Sequence, residues 1–177
     1  MQRRQFLFVL SGATLAFATR AFAGLGSDKA TIEQFSDDGK RLGSAKLNKV
    51  HNDAEWKKRL SPLAYRVTRE QGTERAFSQP GYNRMDPGLY RCVCCDNALF
   101  DASTKYDSHT GWPSFWQPIA PENVTESVDR TFGMRRVEVQ CALCDAHLGH
   151  VFDDGPKPTG LRYCMNNVAL RFIPYAA

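Results

Sequence analysis

Apolar positions in this chain fall into short runs of two different periods, and the change of period divides it. Between Asn52 and Gly72 they recur at helical spacing. NDAEWKKRL opens on a capping Asn52 or Asp53, and SPLAYRVTREQG restarts with Ser61 as N-cap, Pro62 at the first helical position and Gly72 as the stop. Two short helices are predicted. Beyond Pro80-Gly81 the runs shorten and are split by Gly, Pro, Asp and Asn: GLYRC, ALFDAS, PSFWQPI, VTESV, MRRVEVQC, LGHVFD and LRYCMNNVALRFI. Such runs predict antiparallel strands in small sheets. The expected fold class is mainly β in an α+β order, short N-terminal helices first and strands after. Residues 24–50 are polar and carry the turn signal Asp37-Asp38-Gly39, which predicts a loosely packed lead-in with little chemistry.

The first 23 residues, MQRRQFLFVLSGATLAFATRAFA, change the picture. Arg3 and Arg4 precede an apolar run from Phe6 to Ala18, and Ala21-Phe22-Ala23 supplies a small-residue cleavage signature. The run is shorter than the roughly 20 residues that cross a bilayer core, so an export signal is expected, with a permanent anchor the weaker alternative. RRQFL resembles the twin-arginine type, which implies a bacterial periplasmic protein with no stable membrane insertion after cleavage. Losing residues 1–23 removes three arginines and no acid, leaving +1 of the formal charge of +4. A nucleic-acid partner is not supported, because phosphate binding needs clustered cations, and the pair in RRVEV reads as the solvated end of a strand. With 42% hydrophobic residues, positions 51–177 suffice for one cored domain.

Cys92 and Cys95 form one C-x-x-C and Cys141 and Cys144 another, with 45 residues between the pairs. Each such turn presents two sulfurs to one ion, and four thiolates complete a tetrahedral structural Zn²⁺ site that leaves no position for substrate. An exported protein makes disulfides the competing reading, although a C-x-x-C disulfide closes a small, strained loop. Folded export would let the thiolates take up metal in the reducing cytoplasm. Cys94, inside the first pair, is an alternative ligand, a second thiol or a small buried side chain, the last being the default.

Cys164 stands apart in RYCMNN. On a strand Arg162, Cys164 and Asn166 share one face, and a cation beside a thiol favours the thiolate, so Arg162 is expected to activate a nucleophile there. A buried structural cysteine is the plainer alternative. His147 and His150, three apart in CDAHLGHVFDDGP ahead of Asp153 and Asp154, suit proton transfer, with metal ligation or ordinary hydrogen bonding as alternatives. HTGWPSFW gathers Trp112, Phe115 and Trp116. Aromatics this dense are more often core, but a rigid Gly-Trp-Pro turn exposing Trp112 would wall a site for a small thioether-like group.

Together CVCC, HTGWPSF, RRVEVQCALCDAHLGHVFDDGPKPTGLRYCMNN and VALRF closely resemble the methionine-R-sulfoxide reductases, the B type of methionine sulfoxide reductase, over roughly residues 55 to 173. The resemblance implies two antiparallel sheets (a β-tent, Mss4-like) with a zinc knuckle, one structural zinc held by Cys92, Cys95, Cys141 and Cys144, and Cys164 as nucleophile passing through a sulfenic acid. It implies substrate contacts from Trp112, with Phe115 beside it, and roles around the sulfoxide oxygen for His147, His150 and Asn166, His150 being the chosen proton donor. Asp154 and Arg162 match positions that orient the histidines and the thiolate. The implied partners are oxidised proteins bearing methionine-R-sulfoxide and a thiol or periplasmic reductant. Three positions depart from the pattern: Thr110 stands where many members carry a resolving cysteine, His109 where glycine is common, and Asn167 where serine is frequent. Recycling then falls to an external thiol or, less readily, to Cys94. The rival readings are a non-catalytic zinc-ribbon binding module and a zinc redox sensor.

Overall fold

The computed structural model describes residues 28–129 and 136–176; the expected export signal lies outside the described residues. Both helices form where their caps place them. α1 (Asp53–Arg59) starts as the Asn52 side chain accepts the Glu55 N–H, and α2 (Pro62–Arg69) as Ser61 accepts that of Ala64. Each cap contributes about 1 kcal/mol. At the far end of α2 the left-handed residue is Gln71, at φ +53°, and the Gly72 N–H closes back on the Arg66 carbonyl at 3.0 Å.

The remainder is antiparallel β-structure, as the alternating runs require. β3 (Gly88–Cys92) lies between β4 (Ala98–Asp101) and the last strand, β11 (Leu170–Pro174), and pairs with both in a three-stranded sheet. A six-stranded sheet contains β5 (Lys105–Tyr106), β6 (Ser114–Phe115), β7 (Val124–Asp129), β8 (Arg136–Cys141), β9 (His147–Phe152) and β10 (Arg162–Met165) in the order β5-β6-β10-β9-β8-β7. Aromatic rings fill the space between them. Phe100 of β4 stacks on Phe115 of β6 with centroids 4.4 Å apart, and Tyr90 of β3 meets Phe115 edge-on at 5.0 Å. Burying a side chain of this size contributes about 1.5–3 kcal/mol.

The lead-in is not loose. Residues 29–48 form a hairpin of β1 (Lys29–Phe35) and β2 (Arg41–Asn48) around the anticipated Asp37-Asp38-Gly39 turn, and bury Ala30 and Ile32. A two-stranded hairpin is marginal alone, so docking decides its order. Asn123, fully buried, imitates a strand neighbour: its Oδ1 accepts the Glu33 N–H and its Nδ2 donates to the Glu33 carbonyl, both at 2.8 Å. Lys49 then pairs with Asp145 at 2.6 Å, and the Val50 N–H donates to the Leu143 carbonyl. The polar composition of the segment concealed these partners, which lie far along the chain.

Candidate active site

Strand register assembles the site. Cys164 lies directly opposite Ser114 on β6 and His150 on β9, and His150 lies opposite Glu138 on β8. Directly paired residues project to the same side of a sheet, so one cross-strand row carries hydroxyl, thiol, imidazole and carboxylate in sequence. Gly149 permits the close approach of β9 and β10: a Cβ there would fall 2.2 Å from the Cys164 carbonyl oxygen. A register irregularity between Val139 and Gln140 puts His147 opposite Gln140 and Gly149 opposite Val139. The extra residue brings His147 and His150, three apart in sequence, edge to face with ring centroids 5.4 Å apart.

A cavity of about 120 Å³ opens over this row, lined among others by Trp112, Phe152, Cys164, His150, Asn166 and Arg136. Half-buried Trp112 is held by its indole N–H, which donates to the Glu74 carbonyl at 3.3 Å. Phe115, expected beside Trp112 at the site, does not line the cavity: alternation along β6 turns Ser114 towards Cys164 and Phe115 into the core, where it is fully buried. The second aromatic at the cavity is Phe152, two residues beyond His150 and on the same strand face. Asn166 lines the cavity, but its amide serves the scaffold, donating to the Leu148 carbonyl and accepting the Glu74 N–H.

The histidines are oriented by carboxylates other than the expected one. His147 Nδ1 lies 2.6 Å from Glu138 and His150 Nε2 3.0 Å from Asp129, whereas Asp154 grips Arg162 through both carboxylate oxygens at 2.8 Å. His147 stands behind His150, is 3% exposed and does not line the cavity. Burial pushes the His150 pKa down, the Asp129 bond opposes this, and the charge of Arg136 adds to the depression. Arg136, read from sequence as a solvated strand end, instead binds Asp129 at 2.9 Å and faces the cavity.

The surroundings of the sulfur work against the expected thiolate. Burial raises the Cys164 pKa, and Thr110, Arg162 and Ser114 only partly offset it. Arg162 is a weak activator because its guanidinium is already forked onto Asp154. Thr110 Oγ1 is 3.9 Å from Cys164 Sγ, and Ser108 links the hydroxyls of Thr110 and Ser114 at 2.8 and 2.7 Å. His109 occupies a left-handed conformation at φ +58°, one that glycine adopts without steric cost.

The four paired cysteines converge, and Cys164 is not among them. Their sulfurs lie within 4.8 Å of one another, with Cys92–Cys144 and Cys95–Cys141 both 3.6 Å apart. Zn–S bonds of about 2.3 Å in a tetrahedron set S···S edges of about 3.8 Å, so the geometry and the thiolate chemistry both suit zinc. Two matching turns build the cluster. The Asp96 N–H donates to the Cys92 carbonyl and the Asp145 N–H to that of Cys141, both at 2.9 Å, with each Asp left-handed at φ +68° and +54°. Cys94 is buried beside the cluster, its carbonyl accepting from the indole of Trp56 at 3.0 Å and from Arg59.

A family model described as the SelR domain matches residues 60–174. The chain is 59% identical over 121 residues to peptide methionine sulfoxide reductase B1, chloroplastic, of Arabidopsis thaliana, covering 68% of this chain and 59% of that protein. Against the peptide methionine sulfoxide reductase MsrB of Agrobacterium fabrum it is 52% identical over 133 residues, 75% of this chain and 97% of that protein. The MsrB of Pseudomonas aeruginosa (strain UCBPP-PA14) is 52% identical over 119 residues, 67% of this chain and 90% of that protein. The SelR match runs from the end of α1 to β11, enclosing the cysteine cluster and the Cys164 cavity while leaving out the hairpin, and with these identities it shows that the chain belongs to the MsrB family of methionine sulfoxide reductases.

Proposed function

We propose that this protein reduces the R epimer of methionine sulfoxide, preferentially within polypeptides, with Cys164 as nucleophile. The observation that carries the reading is the row Ser114–Cys164–His150–Glu138 beneath a cavity walled by Trp112 and Phe152. The aromatic walls take the methyl and thioether groups, which leaves the sulfoxide sulfur facing Cys164. As the thiolate attacks that sulfur, His150 in its imidazolium form protonates the departing oxygen, with Asp129 stabilising the charged ring. The protonated oxygen then passes from the substrate sulfur to Cys164 as the new bond between the two sulfurs breaks, releasing methionine and leaving sulfenic acid, so the sulfoxide gains the two electrons the thiol loses. With Thr110 in place of a nearby thiol, an external dithiol returns the sulfenic acid to thiol, releasing water and a disulfide.

Zinc bound at Cys92, Cys95, Cys141 and Cys144 would crosslink the β3–β4 and β8–β9 turns and supply stability. The N-terminal RRQFL run and the Ala21-Phe22-Ala23 end support twin-arginine export to the periplasm. Fractionation of cells expressing the full chain tests this: a cytoplasmic, uncleaved product would overturn it.

For the chemistry, the enzyme is incubated with racemic dabsylated methionine sulfoxide and a dithiol, and the epimers are separated on a chiral column. Loss of the R form alone, abolished in Cys164→Ser, is expected. Consumption of the S form, or of neither, would refute the proposal.

A further inference from the structure

Phe77 combines three properties that rarely occur together. It holds a left-handed conformation at φ +61°, its side chain carries a bulky ring, and the residue is 61% exposed. A non-glycine residue in that conformation is disfavoured by about 1–2 kcal/mol, and burial of the ring does not offset it here. Strain of this kind gathers at ligand-binding positions.

The location is specific. The Phe77 N–H donates to the Gly111 carbonyl at 2.9 Å, and the ring lies so close over Gly111 that a Cβ there would be 2.6 Å from Phe77 Cδ2. Gly111 precedes Trp112, the aromatic wall of the cavity, and Glu74 in the same segment accepts the Trp112 indole N–H. Consecutive Cα atoms are about 3.8 Å apart, so the exposed ring starts one residue from the cavity wall. Tyr82 backs it edge-on, with centroids 5.6 Å apart and planes at 85°. A methionine sulfoxide side chain that enters the cavity leaves its own backbone outside it, which brings the residues on either side within reach of the surface around the Gly111–Trp112 turn.

We propose that Phe77, braced by Tyr82, is a subsite for an apolar or aromatic side chain within two residues of the oxidised methionine in a polypeptide substrate. The proposal rests on the reading of the Cys164 cavity as the sulfoxide site. It makes the enzyme selective for sequence context, favouring oxidised methionines from apolar segments over those set among acids.

The test compares kcat/KM for peptides with methionine-R-sulfoxide flanked by Phe or by Glu, and for N-acetyl-methionine-R-sulfoxide, which has no flanking side chain. Wild-type enzyme is expected to favour Phe flanks by about fivefold or more. Phe77→Ala should reduce that preference to less than about twofold while holding the rate on the N-acetyl substrate within about twofold of wild type. Phe77→Gly, which removes the ring and the backbone strain together, guards against a folding defect and should behave alike. An equal fall on peptide and N-acetyl substrates would show that Phe77 merely braces the Gly111–Trp112 turn, and an unchanged Phe preference would exclude the subsite; either overturns the proposal. Failure of wild-type enzyme on the N-acetyl substrate as well would overturn the function reading and this proposal with it.

Discussion

Substituting Arg162 by methionine should slow alkylation of Cys164 and move its pH midpoint upward. The sign is fixed: a cation stabilises the thiolate, so its loss favours the thiol. Arg162 and Cys164 share a strand face two residues apart, a separation of about 6.6 Å. At an effective dielectric of about 20 their interaction is about 2.5 kcal/mol. The Asp154 carboxylate, bidentate on the same guanidinium and 59% exposed, cancels roughly half, leaving about 1 kcal/mol, or five- to tenfold in thiolate fraction near pH 7. Methionine is the chosen replacement because it retains a long apolar stem over Phe152, above which the guanidinium carbon now sits 4.3 Å from the ring centroid. The assay is iodoacetamide modification followed on the Cys164 peptide by mass, so the metal-site cysteines do not contribute. Arg162→Lys should retain most of the rate. Asp154→Asn should act oppositely, because it frees the guanidinium charge and accelerates alkylation. Unchanged modification in Arg162→Met, or slowing in Asp154→Asn, would refute the charge argument and leave Arg162 as a packing residue.

Thr110→Cys should create a resolving thiol: with the present oxygen 3.9 Å from Cys164 Sγ, one turnover without reductant is expected to consume two thiols in a free-thiol assay and form a 110–164 disulfide. The pH profile of kcat/KM should be a bell whose acid limb lies below the ordinary imidazole value, because burial depresses His150, and whose alkaline limb lies above the ordinary thiol value, because burial raises Cys164. Arg136→Met should move the acid limb upward, since it removes a repelling cation and leaves Asp129 to His150. Metal analysis should return one zinc per chain, and stripping it at acid pH with chelator should lower Tm by about 10 °C or more, read by circular dichroism.

Much of the site was legible because its chemistry is local. The C-x-x-C turns, the cysteine flanked at two-residue spacing by Arg162 and Asn166, and the helix caps Asn52 and Ser61 all follow from short-range rules, and the described residues form these elements. What escaped depends on register. Glu138 and Asp129 orient the histidines from β8 and β7, strands whose pairing no spacing rule gives, and nothing in VTESVD distinguishes Asp129 from a surface acid. Phe115 was named and Phe152 passed over for the same reason, since strand parity sends the first ring into the core and the second towards the cavity. The bulge that places His147 behind His150 inserts Leu148 of β9 opposite Val139 and Gln140 and leaves no mark in composition. Activation of Cys164 is weaker than its neighbours suggest because the thiol is buried, and because Asp154, eight residues before Arg162, binds the same guanidinium.

Asn123 joins parts of the molecule that are otherwise separate. Its side chain binds the hairpin at Glu33 and also donates to the Ala98 carbonyl, while its own carbonyl receives the Asn97 amide and the Ala142 N–H, one neighbour from each cysteine turn. A clip that severed residues 28–50 would therefore be felt far from the cut, as a sealed carboxamide stripped of two partners at the junction of both sheets. Trimming of the amino terminus during purification is a hazard to the end of the molecule that carries the cysteine cluster, and intact mass deserves to be checked before any measurement of zinc content.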